Sequence, residues 1–221
     1  MTRLVTGVLF DLDGTLVDSA PDLAGACNDM RVSRGMDALP YQVLRAMVGS
    51  GARGMIGTGF GVSPAEPAYE LLRNEFLDRY EARMTRETRV FSEASRLLER
   101  LQKDRRPWGI VTNKAARFAE PLVASLGLTD GVATLVCGDT TPHAKPHPAP
   151  LLEAARRMGV RPEACVYVGD DQRDVQAGRA ARMWTLVAAW GYLGNGDPFD
   201  MWGADGICPT PDDVLSWIEG T

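Results

Sequence analysis

The stretch Thr6-Gly7-Val8-Leu9-Phe10-Asp11-Leu12-Asp13-Gly14-Thr15 changes abruptly from apolar to acidic. Its first half predicts a short buried strand, and its second half predicts an acidic turn. Similar apolar runs recur at 108–111, 133–137, 165–168 and 184–188. Near-continuous apolar strands of this kind are typical of a parallel sheet that is covered on both faces.

Helical patterns separate these apolar runs. Three segments carry apolar residues at helical spacing: Ala94, Leu97, Leu98 and Leu101; Phe118, Leu122 and Leu126; Leu151, Leu152, Ala155 and Met158. Strands that alternate with helices predict an α/β fold built on a doubly wound, Rossmann-like parallel sheet.

Residues 18–87 break this alternation, because no clear buried strand appears among them. Two apolar faces at helical spacing lie there instead: Leu23, Ala26, Cys27 and Met30; Tyr69, Leu72, Phe76, Tyr80 and Met84. We therefore expect an inserted all-helical domain of about four helices at 18–87, with a glycine-rich stretch at 49–54. Residues 1–17 and 88–221 are expected to form the sheet core.

Composition excludes several protein classes. The net charge of −5 lacks the basic footprint of a nucleic-acid-binding protein. No apolar run approaches the roughly 18 residues that span a bilayer, and Met1-Thr2-Arg3 does not open a signal peptide, so we expect a cytoplasmic protein without a membrane partner. Four widely spaced cysteines predict reduced core residues. Lysine occurs only three times among 24 basic residues. Nothing in the sequence indicates the oligomeric state.

Polar residues follow the predicted strands at their carboxyl ends, where ligands bind in a doubly wound sheet. These residues are Asp11 and Asp13; Thr112, Asn113 and Lys114; Asp139; and Asp170 and Asp171. Lys145 follows the third of these strands, in the segment H-A-K-P-H-P. Trp190-Gly191-Tyr192 follows the last predicted strand. The sequence does not decide whether this segment lines a pocket or packs in the core. We expect five acids, a hydroxyl and two ammonium groups to meet at one edge of the sheet.

Four motifs in this order resemble the haloacid dehalogenase superfamily of phosphatases. They are D-L-D-G-T from Asp11, V-T-N at 111–113, Lys145 before a proline, and G-D-D-Q-R-D ending at Asp174. The resemblance spans essentially the whole chain. It implies a phosphoric monoester hydrolase whose helical insertion is a cap that selects the substrate.

The resemblance also implies the role of each acid. Asp11 is the expected nucleophile, which forms an aspartyl-phosphate and so divides one difficult step into two. Asp11, Asp170 and the main-chain carbonyl of Asp13 are expected to hold Mg²⁺, which prefers oxygen ligands and removes repulsion between a carboxylate and a phosphate dianion. The Asp13 side chain is the expected general acid and base.

Other residues are expected to contact the substrate or support those that do. Thr112, Asn113 and Lys145 are expected to bind the phosphate, with Thr112 and Lys145 counted among the catalytic residues. Arg53 is a candidate for a substrate-anion contact. Asp174 is expected behind the metal ligands, where it orients metal-bound waters or Lys145. Asp171 either points outward, which we favour, or adds a third acid near the metal.

Several activities occur in this superfamily, so the motifs leave alternatives open. Asp13 argues against a haloalkanoate dehalogenase, and the absence of lysine before Lys103 argues against a phosphonatase that uses a cap lysine. The run at 137–152 looks like phosphoglycolate phosphatases. R-F-A-E-P at 117–121 and M-W-G-A-D at 201–205 look similar to phosphatases of N-acetylmuramic acid 6-phosphate. A β-phosphoglucomutase-like sugar phosphomutase and a non-catalytic phosphate-binding module stay open.

Overall fold

The computed structural model describes residues 4–194 and 196–220, so the expectation drawn from Met1-Thr2-Arg3 lies outside the described residues. The strands are β1 (Gly7–Phe10), β2 (Val17–Asp18), β3 (Arg89–Val90), β4 (Trp108–Val111), β5 (Val132–Val136), β6 (Cys165–Gly169), β7 (Trp184–Ala188) and β8 (Gly206–Cys208). The helices are α1 (Ala20–Val32), α2 (Tyr41–Arg45), α3 (Gly51–Phe60), α4 (Tyr69–Glu81), α5 (Ser92–Lys103), α6 (Ala116–Ser125), α7 (Ala149–Met158), α8 (Gln172–Ala180) and α9 (Pro211–Glu219).

A six-stranded sheet in the order β5-β4-β1-β6-β7-β8 contains parallel pairs throughout, and β2 and β3 form a separate two-stranded sheet. From β1 the chain builds one half of the large sheet through β4 and β5, and the other half through β6 to β8. The direction of winding thus reverses beside β1, which is where doubly wound sheets bind ligands. The parallel sheet confirms the predicted fold class.

Both faces of the large sheet are covered, because successive strand residues point to opposite sides. Val8 and Phe10 of β1 join a core cluster with residues of α5, α6 and α9. Leu9 joins a second cluster with residues of α7 and α8. This layering explains why β1 is apolar at every position.

Several details differ from the sequence pattern, among them the two-residue strands β2 and β3, which were not predicted. The strand β8 was not predicted, because it is only three residues long, lies at the sheet edge and exposes Ile207. Leu152 was placed on the buried stripe of α7, but it is 42% exposed. Leu151, Ala154 and Ala155 are buried instead, since a helix turns about 100° per residue and Leu152 falls off their face.

The chain divides into two compact units. The helical unit comprises Asp18–Arg89 and Tyr192–Gly196, and the remaining chain forms the sheet unit. Helices α1 to α4 all belong to the helical unit, where α3 begins at Gly51 and so includes much of the glycine-rich stretch. The expected boundary at 87 lies two residues before this division, and the segment 192–196 was not expected in the insertion.

Hydrogen bonds inside the helical unit explain why the segment 192–196 belongs to it. The Tyr192 hydroxyl accepts from the backbone N–H of Ser19 at 2.8 Å and of Ala20 at 3.0 Å, and donates to Asp18 at 2.9 Å. It therefore satisfies backbone donors at the start of α1, which no intrahelical carbonyl can reach. By contrast, Trp190 belongs to the sheet unit, where its indole N–H donates to the Thr15 carbonyl at 3.0 Å.

All four cysteines are buried and free of disulfide bonds. Within residues 4–194 and 196–220, no helix is long and apolar enough to cross a membrane.

Candidate active site

The carboxyl ends of β1, β4 and β6 bring the expected acids and cations together. Phe10 pairs in register with Ile110 on one side and Val168 on the other, so the residues that follow these strands are neighbours. Asp11 follows β1, and its backbone N–H donates to the Val168 carbonyl at 2.9 Å. Asp170 follows β6. The predicted meeting of polar residues thus lies at the reversal point of the sheet.

The turn after Asp11 depends on Gly14 and Thr15. Gly14 has φ = +83°, in the left-handed region that side chains disfavour, and its N–H donates to the Val17 carbonyl at 2.8 Å. This turn carries Thr15 back toward β6, where its buried hydroxyl donates to Asp170 Oδ1 at 2.9 Å. The last two residues of D-L-D-G-T therefore hold Asp170 in place from the neighbouring strand.

Asp170 also requires a small neighbour on its other side. A Cβ atom at Gly191 would lie 2.2 Å from Asp170 Cβ and 2.6 Å from its Oδ2, closer than side chains approach. Gly191 belongs to the Trp190-Gly191-Tyr192 segment, for which sequence alone left the role open. At this position glycine gives the Asp170 carboxylate the space that it occupies.

The Lys145 ammonium lies at the centre of the site and is buried. It donates to Tyr167 Oη at 2.7 Å, to Asp174 Oδ1 at 2.7 Å and to the Val111 carbonyl at 3.1 Å. These three acceptors match its three protons. Burial alone would lower the pKa of Lys145, but the charges of Asp11 and Asp174 outweigh it and hold that pKa above its usual value. Lys145 is therefore a fixed positive charge.

Asp11 is a carboxylate in an unfavourable environment. Its Oδ1 lies 2.9 Å from Lys145 Nζ, close enough for an ion pair, but no group among the described residues lies around this buried oxygen with hydrogen-bond geometry. Burial raises the pKa of Asp11 to about 7; Lys145 opposes this rise, and the nearby charges of Asp174 and Asp13 add to it. Asp11 thus carries a buried oxygen that could bond to an incoming electrophile or cation.

Two aspartates of the last motif accept hydrogen bonds from backbone N–H groups at the start of α8. Asp174 Oδ2 accepts from the backbone N–H of Asp171 at 3.0 Å, while its other oxygen holds Lys145. Asp171 caps the helix by accepting from the Arg173 N–H at 2.9 Å and also binds the Arg173 guanidinium at 2.7 Å. Asp174 therefore orients Lys145, one of the two roles expected. The Asp171 carboxylate is engaged by α8 and Arg173.

Asn113 has a different contact from the expected one. Its amide nitrogen donates to the Lys145 carbonyl at 2.9 Å, and its amide oxygen accepts from the Lys145 N–H at 2.9 Å. The side-chain amide thus holds the Lys145 backbone at both of its polar atoms, and the expected phosphate contact of Asn113 stays a prediction. Thr112 is buried beside it, and its hydroxyl accepts from the Lys114 N–H at 3.1 Å.

Asp139 does not join these side chains, and Arg53 belongs to the helical unit. Asp139 is exposed and accepts from the Ala116 N–H at 2.9 Å, so it serves the start of α6. Arg53 is exposed on α3 in the helical unit, and its anion contact stays a prediction.

Sequence reasoning missed Tyr167 and the partner of Lys114. Lys114 Nζ lies 3.0 and 2.9 Å from the two carboxylate oxygens of Asp13. Tyr167 donates to the Val111 carbonyl at 2.8 Å while it accepts from Lys145, and burial raises its pKa well above the usual value. The sequence placed Lys114 as a cation after β4, but it did not indicate that Asp13 is its partner. Tyr167 lies within an apolar strand and gave no signal beyond core packing.

Comparison with known proteins agrees with this geometry. A family model described as haloacid dehalogenase-like hydrolase matches residues 8–188, which is more than half of the chain. The chain belongs to the haloacid dehalogenase-like hydrolase family. This result confirms the superfamily that the four motifs predicted.

Relatives in this family are phosphatases. N-acetylmuramic acid 6-phosphate phosphatase of Pseudomonas putida is 39% identical over 212 residues, covering 96% of this chain and 95% of that protein. Phosphoglycolate phosphatase of Xanthomonas campestris pv. campestris is 45% identical over 210 residues, covering 95% and 94%. The crystal structure of a predicted phosphoglycolate phosphatase from Haemophilus somnus has a TM-score of 0.84 at 24% identity, with coverage of 96% and 97%, and shows the same fold. The expected enzyme class, a phosphatase, is confirmed.

The acidic cluster of this haloacid dehalogenase-like hydrolase fits the divalent cation that the family resemblance implies. Oxygen atoms of Asp11, Asp170 and Asp174 lie within 4.8 Å of one another. Hard carboxylate oxygens are the ligands that Mg²⁺ prefers. Because both Asp174 oxygens already bind Lys145 and Asp171, the oxygens of Asp11 and Asp170 are the better candidates.

Formal charge supports the same fit. Four carboxylates surround the site, those of Asp11, Asp13, Asp170 and Asp174, whereas its two ammonium groups belong to Lys114 and Lys145. With all six groups ionised, two negative charges are left in excess. Buried carboxylates that lack a counter-charge are unfavourable, so a divalent cation would complement this set.

Proposed function

We propose that this chain is a magnesium-dependent phosphatase of small phosphate monoesters, with 2-phosphoglycolate as its substrate. The observation that carries the proposal is Asp11, a partly buried carboxylate that lies 2.9 Å from the fixed charge of Lys145 and retains an oxygen without a hydrogen bond. A phosphate monoester is very unreactive in water, so most of the required stabilisation must come from positioned charges.

In the first step, a carboxylate oxygen of Asp11 attacks phosphorus. The bond between phosphorus and the ester oxygen breaks, and the Asp13 carboxyl group gives its proton to the leaving alkoxide. The positive charge of Lys145 neutralises charge on the phosphate oxygens, and the Thr112 hydroxyl orients them. Asp11, Asp170 and the Asp13 carbonyl would hold Mg²⁺, which would supply positive charge and so reduce repulsion between nucleophile and substrate.

In the second step, Asp13 is a carboxylate and removes a proton from a water molecule. This water attacks phosphorus of the aspartyl-phosphate, and Asp11 leaves as a carboxylate. The products are inorganic phosphate and the enzyme in its starting state. One side chain can serve both steps because the first leaves it in the protonation state that the second requires.

The choice of substrate rests on the relatives and on shared chemistry. Relatives named phosphoglycolate phosphatase reach 45% identity, and a relative named N-acetylmuramic acid 6-phosphate phosphatase is 39% identical. Both substrates join a phosphate monoester to a carboxylate, and the amino-sugar phosphate is therefore our second candidate. The helical unit, with Arg53 as its candidate anion contact, is the expected place of selection; the cytoplasmic location also stays a prediction.

The decisive experiment compares kcat/KM for 2-phosphoglycolate, N-acetylmuramic acid 6-phosphate, β-glucose 1-phosphate and nucleotides, in magnesium. We expect the highest value for 2-phosphoglycolate. A higher value for the amino-sugar phosphate would select the second candidate, and isomerisation of the glucose phosphate would indicate a mutase. No turnover of any substrate, together with phosphate binding, would identify a non-catalytic phosphate-binding module and refute the proposal.

A matched variant tests the nucleophile. Asp11→Asn keeps the size of the side chain but removes the attacking carboxylate, so phosphate release is expected to disappear. An unchanged circular dichroism spectrum would show that the fold is retained. Unchanged turnover in the purified variant would exclude Asp11 as the nucleophile.

A further inference from the structure

The Lys114–Asp13 ion pair is the second charge pair of the site. Lys114 Nζ contacts both Asp13 oxygens, at 3.0 and 2.9 Å, and the exposed fractions of the two side chains are only 8% and 20%. Contact with both oxygens restricts rotation of the carboxylate as well as its position. Partial burial also strengthens such a pair beyond the small contribution of an exposed one.

The backbone holds Lys114 in place for this contact. Its N–H donates to the Thr112 hydroxyl at 3.1 Å, and its carbonyl accepts from the Gly138 N–H at 2.9 Å. Both partners lie at the carboxyl ends of neighbouring strands, β4 and β5. Lys114 is therefore fixed to the sheet at its main chain and to Asp13 at its side chain.

Lysine usage points to the same position. The chain has 24 basic residues but only three lysines, and two of the three, Lys114 and Lys145, lie in this site. Arginine is used for most other ion pairs, including Arg173 with Asp171. An ammonium is a compact charge, whereas a guanidinium is a broad planar fork. A lysine at 114 thus places a compact charge beside a carboxylate that must also reach a substrate.

We infer that Lys114 is a positioning residue for Asp13. It holds the carboxyl group where it can protonate the leaving oxygen and later approach the attacking water. This inference rests on the proposed function, because Asp13 needs this position only if it transfers protons. Fixing a reacting group in advance removes an entropic part of the barrier.

The test compares two leaving groups. Glycolate leaves 2-phosphoglycolate as a poor alkoxide that needs a proton, whereas 4-nitrophenolate leaves 4-nitrophenyl phosphate without one. We expect Lys114→Met to lower kcat/KM for 2-phosphoglycolate by about tenfold or more, and for 4-nitrophenyl phosphate by about threefold or less. Because kcat/KM covers only the steps up to formation of the aspartyl-phosphate, the second role of Asp13 does not obscure this comparison.

Three controls make the comparison specific. Lys103→Met removes the exposed lysine at the end of α5 and should leave both values unchanged. Lys114→Arg keeps the charge in another shape and should give intermediate values. If thermal denaturation shows that Lys114→Met does not fold, Lys114→Arg is assayed in its place. In an Asp13→Asn background, Lys114→Met should cause no further loss for 2-phosphoglycolate.

Two results would overturn the inference. An equal loss for both substrates, with weaker inhibition by vanadate, would mean that Lys114 binds the phosphate directly. A further loss in the Asp13→Asn background would mean that Lys114 acts independently of Asp13.

If the wild type releases phosphate from neither substrate, the proposed function fails separately. A crystal structure of Lys114→Met then tests positioning alone. A displaced Asp13 carboxylate would support the inference, and an unmoved one would overturn it.

Discussion

Replacing Asp11 with asparagine in the metal-free protein should increase stability in a pH-dependent way. The folded protein raises the pKa of Asp11 from 3.8 to about 7, chiefly by burial. Since the folded state favours the protonated acid, stability is highest below pH 3.8 and is lost as pH rises through about 7. Asparagine does not ionise, so the variant does not lose stability in this range.

The magnitude follows from the two pKa values. A pKa of about 7 against 3.8 corresponds to about 4 kcal/mol of unfolding free energy when Asp11 is fully ionised. The side chain is 14% exposed, and the variant loses the ion pair with Lys145, so the measured effect should be smaller. Between pH 5.5 and 8.5, we expect the stability of Asp11→Asn relative to wild type to rise by about 1–2 kcal/mol.

The assay is urea denaturation in excess EDTA at both pH values, followed by tryptophan fluorescence. Comparing the variant with wild type at each pH cancels the titration of groups that the two proteins share. Asp130→Asn, which changes an exposed aspartate, gives the background. A relative stability that stays constant or falls between pH 5.5 and 8.5 would refute the argument that burial makes ionised Asp11 unfavourable.

Three further predictions concern the metal and two supporting side chains. Excess EDTA should abolish phosphate release and added Mg²⁺ should restore it, whereas full activity in EDTA would contradict the proposed metal. Asp171→Ala removes the cap of α8 and should lower the unfolding free energy by about 1 kcal/mol in urea denaturation, with kcat unchanged; a large loss of kcat would instead make Asp171 a third functional acid. Tyr167→Phe removes the hydroxyl between Lys145 and the Val111 carbonyl and should lower the unfolding free energy by about 1–2 kcal/mol. Calorimetry checks this value, and no difference from wild type would mean that the hydroxyl contributes little.

Much of the fold could be predicted because burial on both faces leaves a strong sequence pattern. The strand β1 is apolar at every position because alternate residues enter two different core clusters. The strand β8 lacked this pattern, since an edge strand of three residues is buried only in part. Leu152 shows the opposite error: an apolar residue beside a buried stripe was counted within it, although helical geometry places it outside.

The candidate site was predictable to the extent that strand ends determine it. Asp11 and Asp170 lie together because parallel pairing aligns β1 with β6. Contacts between side chains depend on their directions, which the sequence pattern does not encode. For that reason the hydrogen bonds between the Asn113 amide and the Lys145 backbone were not predicted. Tyr167 was missed because it lies in an apolar strand, where its ring alone accounts for its place in the pattern. The sequence does not show that its buried hydroxyl contacts Lys145.

The segment Tyr192–Gly196 has a consequence for protein engineering and for the exchange of domains during evolution. A graft that transfers only residues 18–89 to another sheet unit would leave the Tyr192 hydroxyl behind. The Ser19 N–H would then lose its 2.8 Å acceptor and the Ala20 N–H one of its acceptors, and each lost hydrogen bond typically costs about 0.5–1.5 kcal/mol. The exchangeable module is therefore discontinuous, and a functional chimera must carry the second segment with the first.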